Sequence, residues 1–298
     1  MIIALVPNTT KKDILSVVLK LAEKLYSSGF RVIFSDLILK NSLEIDKIIP
    51  NAMYFPMPEI FYESDIVISI GGDGTMLNTA FEARNTKIPM AGLNFGKLGF
   101  LAEVGLDDID KFINEIKQQK FYIEERMAIE GACISGIETD MYAINDIVID
   151  KGGWPKMIEI TIQVDGEYVS TFSADGIVVS TPTGSTGYSL SGGGPIVSPK
   201  ADVITLTPIA PHTLTMRPLI ISGEQKIILT VKSQQNKIQI NCDGQRVYFF
   251  TSPVGIEIKK SDKPMRILHT HTASYYEILR TKLLWGLDVR SKNGEQGN

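Results

Sequence analysis

The chain has 298 residues, of which 34 are acidic and 30 basic, for a formal net charge of -4. At 44% hydrophobic and 21% charged it has the composition of a folded protein, and its length suits two domains of about 150 residues each. The charge balance gives no surplus of Lys and Arg for a nucleic-acid backbone or an anionic membrane, although one cluster of backbone N–H groups suffices for a small polyanion.

Ile2–Val6 is an apolar run that reads as a buried strand. It has no basic segment before it and ends at Pro7, so no signal peptide is expected, and no later stretch approaches the ~20 apolar residues of a membrane span. Thr10–Asp13 has capping-box character. Ile14, Val17, Val18, Leu21 and Leu25 follow at helical spacing, Gly29 supplies a stop, and Phe30–Phe34 is a second strand. Strand, helix, strand in this order opens a parallel α/β sheet. Asp65–Ile70 is a further buried strand that runs into Gly71-Gly72-Asp73-Gly74-Thr75, after which Met76, Leu77, Ala80 and Phe81 form the apolar face of a helix. Met90–Asn94 predicts another strand, and Asp107–Lys117 a helix burying Ile109, Phe112, Ile113 and Ile116.

From Ala128 to about Arg266 the pattern changes to short strands with turn pairs, one of them a hairpin over 158–173 with Asp165-Gly166 at its tip, as expected of an all-β sandwich. Ala273–Leu284 is helical in pattern, with Tyr276, Leu279, Leu283 and Leu284 on one side, and 291–298 is polar. The two cysteines, Cys133 and Cys242, lie far apart without CxxC spacing. This argues against a disulfide framework or a metal site and fits a reducing compartment, so a cytoplasmic location is expected.

Two segments carry chemistry. Gly71–Thr75 lies between a buried strand and a helix, where glycines admit close backbone approach and a helix N-terminus attracts an anion. It lacks the Gly-Lys-Ser/Thr of a Walker loop and is not GxGxxG. Asp73 would repel a phosphate unless it holds Mg²⁺ or takes a proton from an attacking hydroxyl; the alternative is that it merely caps the helix. The second segment, 173–195, delivers hydroxyls and glycines with Tyr188, suited to wrapping a sugar or diphosphate; the alternative is a flexible Ser/Gly linker. Asn145-Asp146 suits ribose hydroxyls or an adenine edge, but alone reads rather as a turn or strand-edge pair, and Asp243-Gly244-Gln245 reads alone as a hairpin turn. His212, His269 and His271 accompany no nucleophile motif, and a surface or packing role is expected over a metal site.

Together, Gly71–Thr75, Asn94–Leu101, Asn145-Asp146, Asp175–Ser191 with Gly192–Pro195, 210–214 with Arg217-Pro218, and Asp243-Gly244-Gln245 resemble the NAD kinase family over nearly the whole chain. The first motif is shared with lipid- and sugar-kinase relatives; the Thr-Pro-Thr-Gly-Ser-Thr-x-Tyr run followed by Asp-Gly-Gln is more specific. The resemblance implies a Rossmann-like parallel α/β domain (1–122), an all-β sandwich-like domain that binds NAD (123–268), and a C-terminal helical segment (269–298) returning to the first. It implies transfer of the γ-phosphoryl group of ATP, with Mg²⁺ or another divalent cation, to the 2′-hydroxyl of the adenosine ribose of NAD. By the family pattern Asp73 is the catalytic proton acceptor, and Gly71, Gly72, Gly74 and Thr75 lie at the ligand, with no dedicated protein ligands for the metal. Asn145, Asp146, Asp175, Thr183, Thr186, Gly187, Tyr188, Ser189, Leu190, Ser191, Ala210 and Gln245 fall on NAD-contacting positions, and Lys156 and Ser173 on positions often basic in relatives. Asp146 stands where many relatives have Glu, Gly187 where Ala is common, and Ser173 where Arg or Lys is frequent, which leaves preference between oxidised and reduced dinucleotide open. A homodimer or homotetramer is implied. A lipid or sugar kinase of the same superfamily and a non-catalytic dinucleotide sensor are the alternatives.

Overall fold

A computed structural model describes residues 1–96, 99–270 and 275–285. The described chain forms two compact units, Met1–Glu124 together with the residues from Arg266 on, and Glu125–Met265. Lys97, Leu98, His271 and the polar stretch 291–298 lie outside the described residues.

The first unit is built on strands β1 (Ile2–Pro7), β2 (Arg31–Ser35), β3 (Met53–Phe55), β4 (Ile66–Gly71) and β5 (Met90–Asn94), with helices α1 (Ile14–Ser27), α2 (Ser42–Asp46), α3 (Asp73–Ala83) and α4 (Ile109–Lys117). The strands order as β3-β2-β1-β4-β5, all parallel. The apolar run of β4 is buried along its whole length because helices cover both faces of such a sheet. α1 buries Ile14, Val17, Val18, Leu21, Ala22 and Leu25, and α4 buries the four apolar residues its spacing marks. Three local expectations are corrected. The capping box before α1 is absent: Asp13 is left-handed at φ 60° and makes no side-chain cap, while Asn8 Oδ1 takes both the Thr10 N–H and its hydroxyl. On α3, Phe81 lies only half-buried under the Arg84 guanidinium at 3.9 Å, and Thr79 and Ala83 complete the buried face. The third concerns the tail, below.

β6 (Tyr122–Arg126) belongs to the first sheet and carries the chain across the boundary into the second unit, which contains β7 (Ile129–Cys133), β8 (Met141–Ala143), β9 (Asp146–Asp150), β10 (Ile158–Val164), β11 (Glu167–Ala174), β12 (Gly176–Ser180), the single-turn helix α5 (Tyr188–Ser191), β13 (Val203–Ile209), β14 (Leu219–Ser222), β15 (Ile227–Lys232), β16 (Ile238–Cys242), β17 (Arg246–Phe250) and β18 (Val254–Lys260). Two six-stranded sheets, β11-β10-β15-β18-β7-β8 and β14-β13-β12-β9-β16-β17, share one apolar core, so the unit is a sandwich. The Asp165-Gly166 tip has φ 51° and 83°, the left-handed pair that an NG- or DG-type hairpin needs.

The chain then returns to the first sheet as a strand, not only as a helix. β19 (Met265–His269) pairs parallel with β5, Ile267 opposite Met90, and β6 follows it at the sheet edge. The return therefore begins at Arg266, three residues before the expected 269. The tail helix α6 (Tyr275–Leu283) buries Ile278 and Leu279, whereas Tyr276 and Leu284, expected on its apolar side, are exposed. No described helix is long and apolar enough to cross a membrane.

Candidate active site

Asp73 is the first residue of α3, directly after β4 and Gly72. It does not cap its own helix. Its Oδ1 accepts the Leu101 and Ala102 N–H groups, each at 3.0 Å, and Oδ2 accepts the Phe100 N–H at 2.9 Å. Three consecutive amides thus fix the carboxylate from outside the helix. Gly99 makes the approach possible, since a Cβ there would collide with the Asp73 carboxylate. The segment that supplies the amides is itself anchored: Val104 donates to Gly92 O at 3.1 Å, and the Asn94 N–H donates to Val104 O at 2.8 Å. On the other side Lys282 of α6 brings its Nζ 3.9 Å from Asp73 Oδ2 and 5.0 Å from the centre of the Phe100 ring. A carboxylate oxygen has about two acceptor positions. Oδ1 fills both with amides, while among the described residues Oδ2 retains one beyond the Phe100 bond.

The glycine cluster is shaped by Thr75. Its Oγ1 accepts from the Gly72 N–H at 3.4 Å and from Asn8 Nδ2 at 3.1 Å, and a Cβ on Gly71 would run into the Thr75 side chain. Thr75 therefore holds the turn with its hydroxyl. The turn opens the 11-residue α3, whose N-terminus carries the partial positive charge that favours phosphate.

In the second unit, Asn145 and Asp146 are framed by a buried carboxylate from the β16–β17 hairpin. Asp243 accepts the N–H groups of Ile144, Asn145 and Asp146 at 3.1, 2.7 and 3.3 Å, and Arg246 Nη2 at 3.0 Å. It does this from a left-handed backbone, φ 55°, followed by Gly244 at 70°. The Asn145 carbonyl accepts the Thr181 N–H at 2.9 Å, and the Thr181 hydroxyl donates to Ile144 O at 2.5 Å. Gly184 seats against Asn145 so closely that a Cβ would strike its backbone. Beyond it, Asn145 Nδ2 and Asp146 Oδ2 both stand within 4 Å of where a Gly187 Cβ would lie. Burial, reinforced by the neighbouring Asp243 charge, pushes the Asp146 carboxyl up to about 7. Burial also raises Asp243, against the pull of its amide donors and Arg246.

The 181–191 run is a built loop, not a linker. Thr181, Ser185 and Ser189 are fully buried. Ser185 Oγ accepts the Val197 N–H at 3.0 Å and donates to Pro182 O at 2.7 Å, and Ser189 Oγ pairs with Thr207 Oγ1 at 2.9 Å. These hydroxyls set the loop's shape, and Gly187, Tyr188 and Ser191 form its exposed rim.

These two sites belong to a chain whose relatives are well defined. The family model of the ATP-NAD kinase N-terminal domain matches residues 3–121, and that of the ATP-NAD kinase C-terminal domain matches 144–270. The chain belongs to the NAD kinase family. An NAD kinase of Chlorobium limicola is 37% identical over 98% of this chain and 99% of its own, and one of Thiobacillus denitrificans is 41% identical over 75% and 78%. Among solved structures, yeast NADH kinase complexed with NADH shares the fold at a TM-score of 0.87, with 24% identity over 96% of this chain and 88% of that one. An NAD kinase from Archaeoglobus fulgidus in complex with ATP has a TM-score of 0.74 and 25% identity over 95% and 99%. As in its curated relatives, the chemistry is that of a phosphotransferase.

In this member of the family the expected residues fall into three groups. Gly71, Gly72, Asp73, Gly74 and Thr75 lie together at the start of α3. Asn145 and Asp146, at the start of β9, pack against the separate segment that carries Thr183, Thr186, Gly187 and, in α5, Tyr188, Ser189, Leu190 and Ser191, with Gln245 exposed on the β16–β17 hairpin. Ser173, Asp175 and Ala210 meet at one end of β11–β13. There the Asp175 N–H donates to Ile209 O at 3.0 Å, the His212 N–H donates to Ser173 O at 2.9 Å, and Ala210 has φ 43°. Lys156 lies apart on the surface, donating to Gln234 Oε1 at 3.0 Å. The lysine at Asp175 is instead Lys151, with Nζ 2.6 Å from Oδ1. Asn8, Lys151 and Lys282 carry no sequence signal, and Asp243 reads only as part of a hairpin turn and of the Asp-Gly-Gln motif. An Asp-Gly hairpin signal points Asp243 to solvent, and nothing local announces that its carboxylate turns inward.

Proposed function

We propose that the chain transfers the γ-phosphoryl group of ATP to the 2′-hydroxyl of the adenosine ribose of NAD, giving NADP and ADP. The observation that carries this reading is Asp73: a carboxylate held by three amides, with one acceptor position left on Oδ2, at the mouth of a helix N-terminus. As the 2′-oxygen forms its bond to the γ-phosphorus and the bond to the β–γ bridging oxygen breaks, the hydroxyl proton passes to Oδ2 and ADP leaves. The α3 N-terminus and its glycine turn bind the triphosphate, and the loop system around Asn145, Asp146 and Gly187, with Asp175, binds the acceptor's adenosine half. Most of the acceleration comes from positioning and charge stabilisation, and a general base adds a factor of roughly 10²–10⁴.

A divalent cation, when bound, neutralises charge on the triphosphate oxygens. Among the described residues no group of three or more His, Cys, Asp or Glu is arranged to hold a metal ion; the triphosphate oxygens would supply most of its ligands, with Asp73 the acidic oxygen donor at the turn. We further propose a cytoplasmic homodimer or homotetramer, on the family resemblance, to be checked by native mass spectrometry. The activity is tested by a donor–acceptor matrix: ATP, other nucleoside triphosphates and polyphosphate against NAD, NADH, diacylglycerol and fructose 6-phosphate, with products read by mass. NADP as the main product from ATP and NAD is the expected result; phosphorylation of the lipid or sugar alone overturns it.

A further inference from the structure

A buried charged cluster lies directly behind the segment that holds Asp73, and the chemistry above makes no use of it. His269, at the end of β19, is almost fully buried. Its Nδ1 lies 2.6 Å from Glu103 Oε1 and its Nε2 lies 2.8 Å from Glu124 Oε2, while the Tyr122 ring stacks on the imidazole at 5.1 Å. Burial pulls the imidazole pKa down, but the hydrogen bonds and charges of the two carboxylates outweigh it and push it up to about 9. The imidazolium is therefore the resting form at neutral pH, hydrogen-bonded to Glu103 through Nδ1 and ion-paired with Glu124 at Nε2. An ion paired on both sides in this way is costly to bury for packing alone, since apolar side chains of similar volume often do as well or better.

Its location suggests why it is there. Glu103 directly follows Ala102, whose N–H is one of the two on Asp73 Oδ1. The next residue, Val104, is tied to β5 by backbone bonds. Between Gly99 and that tie, the Ala102 carbonyl accepts the Gly99 N–H at 2.9 Å and Asn94 Nδ2 at 3.4 Å, and the Glu103 side chain adds a bond to β19. We propose that His269 is a positioning residue for phosphoryl transfer: by gripping Glu103 it fixes the 100–102 amides, and through them the orientation of Asp73 Oδ2. Glu124 pairs with the other ring nitrogen and, unlike Glu103, lies in sequence outside the segment that supplies the amides.

The inference rests on Asp73 as the reacting carboxylate, and the test separates the two. His269→Gln, Glu103→Gln, Glu124→Gln and Asp73→Asn are prepared in the full chain. Steady-state kcat and KM for NAD and for ATP are measured beside thermal unfolding. A misplacement of about 1 Å at a reacting group costs on the order of 100-fold in rate. His269→Gln and Glu103→Gln are therefore expected to lower kcat about 10- to 100-fold with both KM values within threefold. Glu124→Gln is expected to unfold earlier but to keep kcat within about threefold. If His269→Gln and Glu103→Gln unfold earlier yet keep the wild-type kcat, the cluster is only structural and the proposal falls. Should His269→Gln not fold, the isosteric Glu103→Gln decides alone. Loss of turnover in Asp73→Asn with none in the cluster variants overturns the clamp and leaves the base; full turnover in Asp73→Asn overturns the base itself.

Discussion

Replacing Asp73 by Asn tests the centre of the site, and the structure says what the change does beyond removing a proton acceptor. An amide side chain offers one acceptor oxygen and one NH₂ donor. With its oxygen in the place of Oδ1 it keeps the Leu101 and Ala102 bonds, but its NH₂ then faces the Phe100 N–H, donor against donor. Turned the other way, it keeps one bond and loses two. At least one charge-assisted bond is lost, about 1.5–3 kcal/mol before allowance for the side chain's 30% exposure, which lowers it. Lys282 also loses its carboxylate partner. The loss of general-base catalysis adds a rate factor of roughly 10²–10⁴. The expected outcome is a fall in NADP formation of at least 100-fold, with NAD affinity by calorimetry within about threefold of wild type and unfolding a few degrees earlier. Turnover within threefold of wild type would refute the assignment. Turnover lost together with NAD affinity would show that Asp73 binds the acceptor rather than activating it.

Four further outcomes follow from specific contacts. Gly184→Ala drives a Cβ into the Asn145 backbone, so KM for NAD should rise at least tenfold and unfolding come earlier, read by kinetics and calorimetry. Asp243→Asn sets an NH₂ among three amide donors and Arg246; a loss of about 2–4 kcal/mol in denaturant unfolding is expected, with NAD affinity falling alongside. Asp146 has a folded pKa of about 7, above its ordinary value, so the wild type loses stability as pH rises from about 4 through 7. Asp146→Asn cannot ionise and should gain on wild type in thermal unfolding at pH 8.5 relative to pH 5.5. The pKa of His269 is likewise raised, to about 9, but here the charged form is favoured by the fold. Its contribution is complete below about pH 6.5 and lost as pH rises through 9, so the stability gap between wild type and His269→Gln should close over that window.

The sequence makes the frame legible where one physical cause dominates. The α1 and α4 faces follow helical spacing because each packs on a single sheet, and the Asp165-Gly166 hairpin follows its own turn chemistry. The return of β19 to the first sheet is invisible locally, because Met265–His269 looks like any short strand of the sandwich before it; only partners more than 150 residues distant in sequence distinguish it. The same holds for the site. Hydroxyls in the 181–191 run look like ligand donors, yet Thr181, Ser185 and Ser189 turn inward to hold the loop, because a tight turn packed against strands must satisfy its own backbone groups.

Asp73 and Asp243 show how one local device serves two ends. Each carboxylate accepts three consecutive backbone N–H groups from a distant segment, and each precedes a glycine after a strand. They differ in what closes the remaining acceptor position. At Asp243, whose side chain is wholly buried, Arg246 closes it, and the carboxylate becomes a frame for Asn145 and Asp146. At Asp73 the side chain stays 30% exposed, and the neighbouring cation, Lys282, stands off at 3.9 Å. A carboxylate fixed in place but not closed off is what a proton acceptor needs: orientation is settled before the substrate arrives, and one lone pair remains to meet it. Burial and the reach of one neighbouring cation separate the proposed proton acceptor from the structural aspartate.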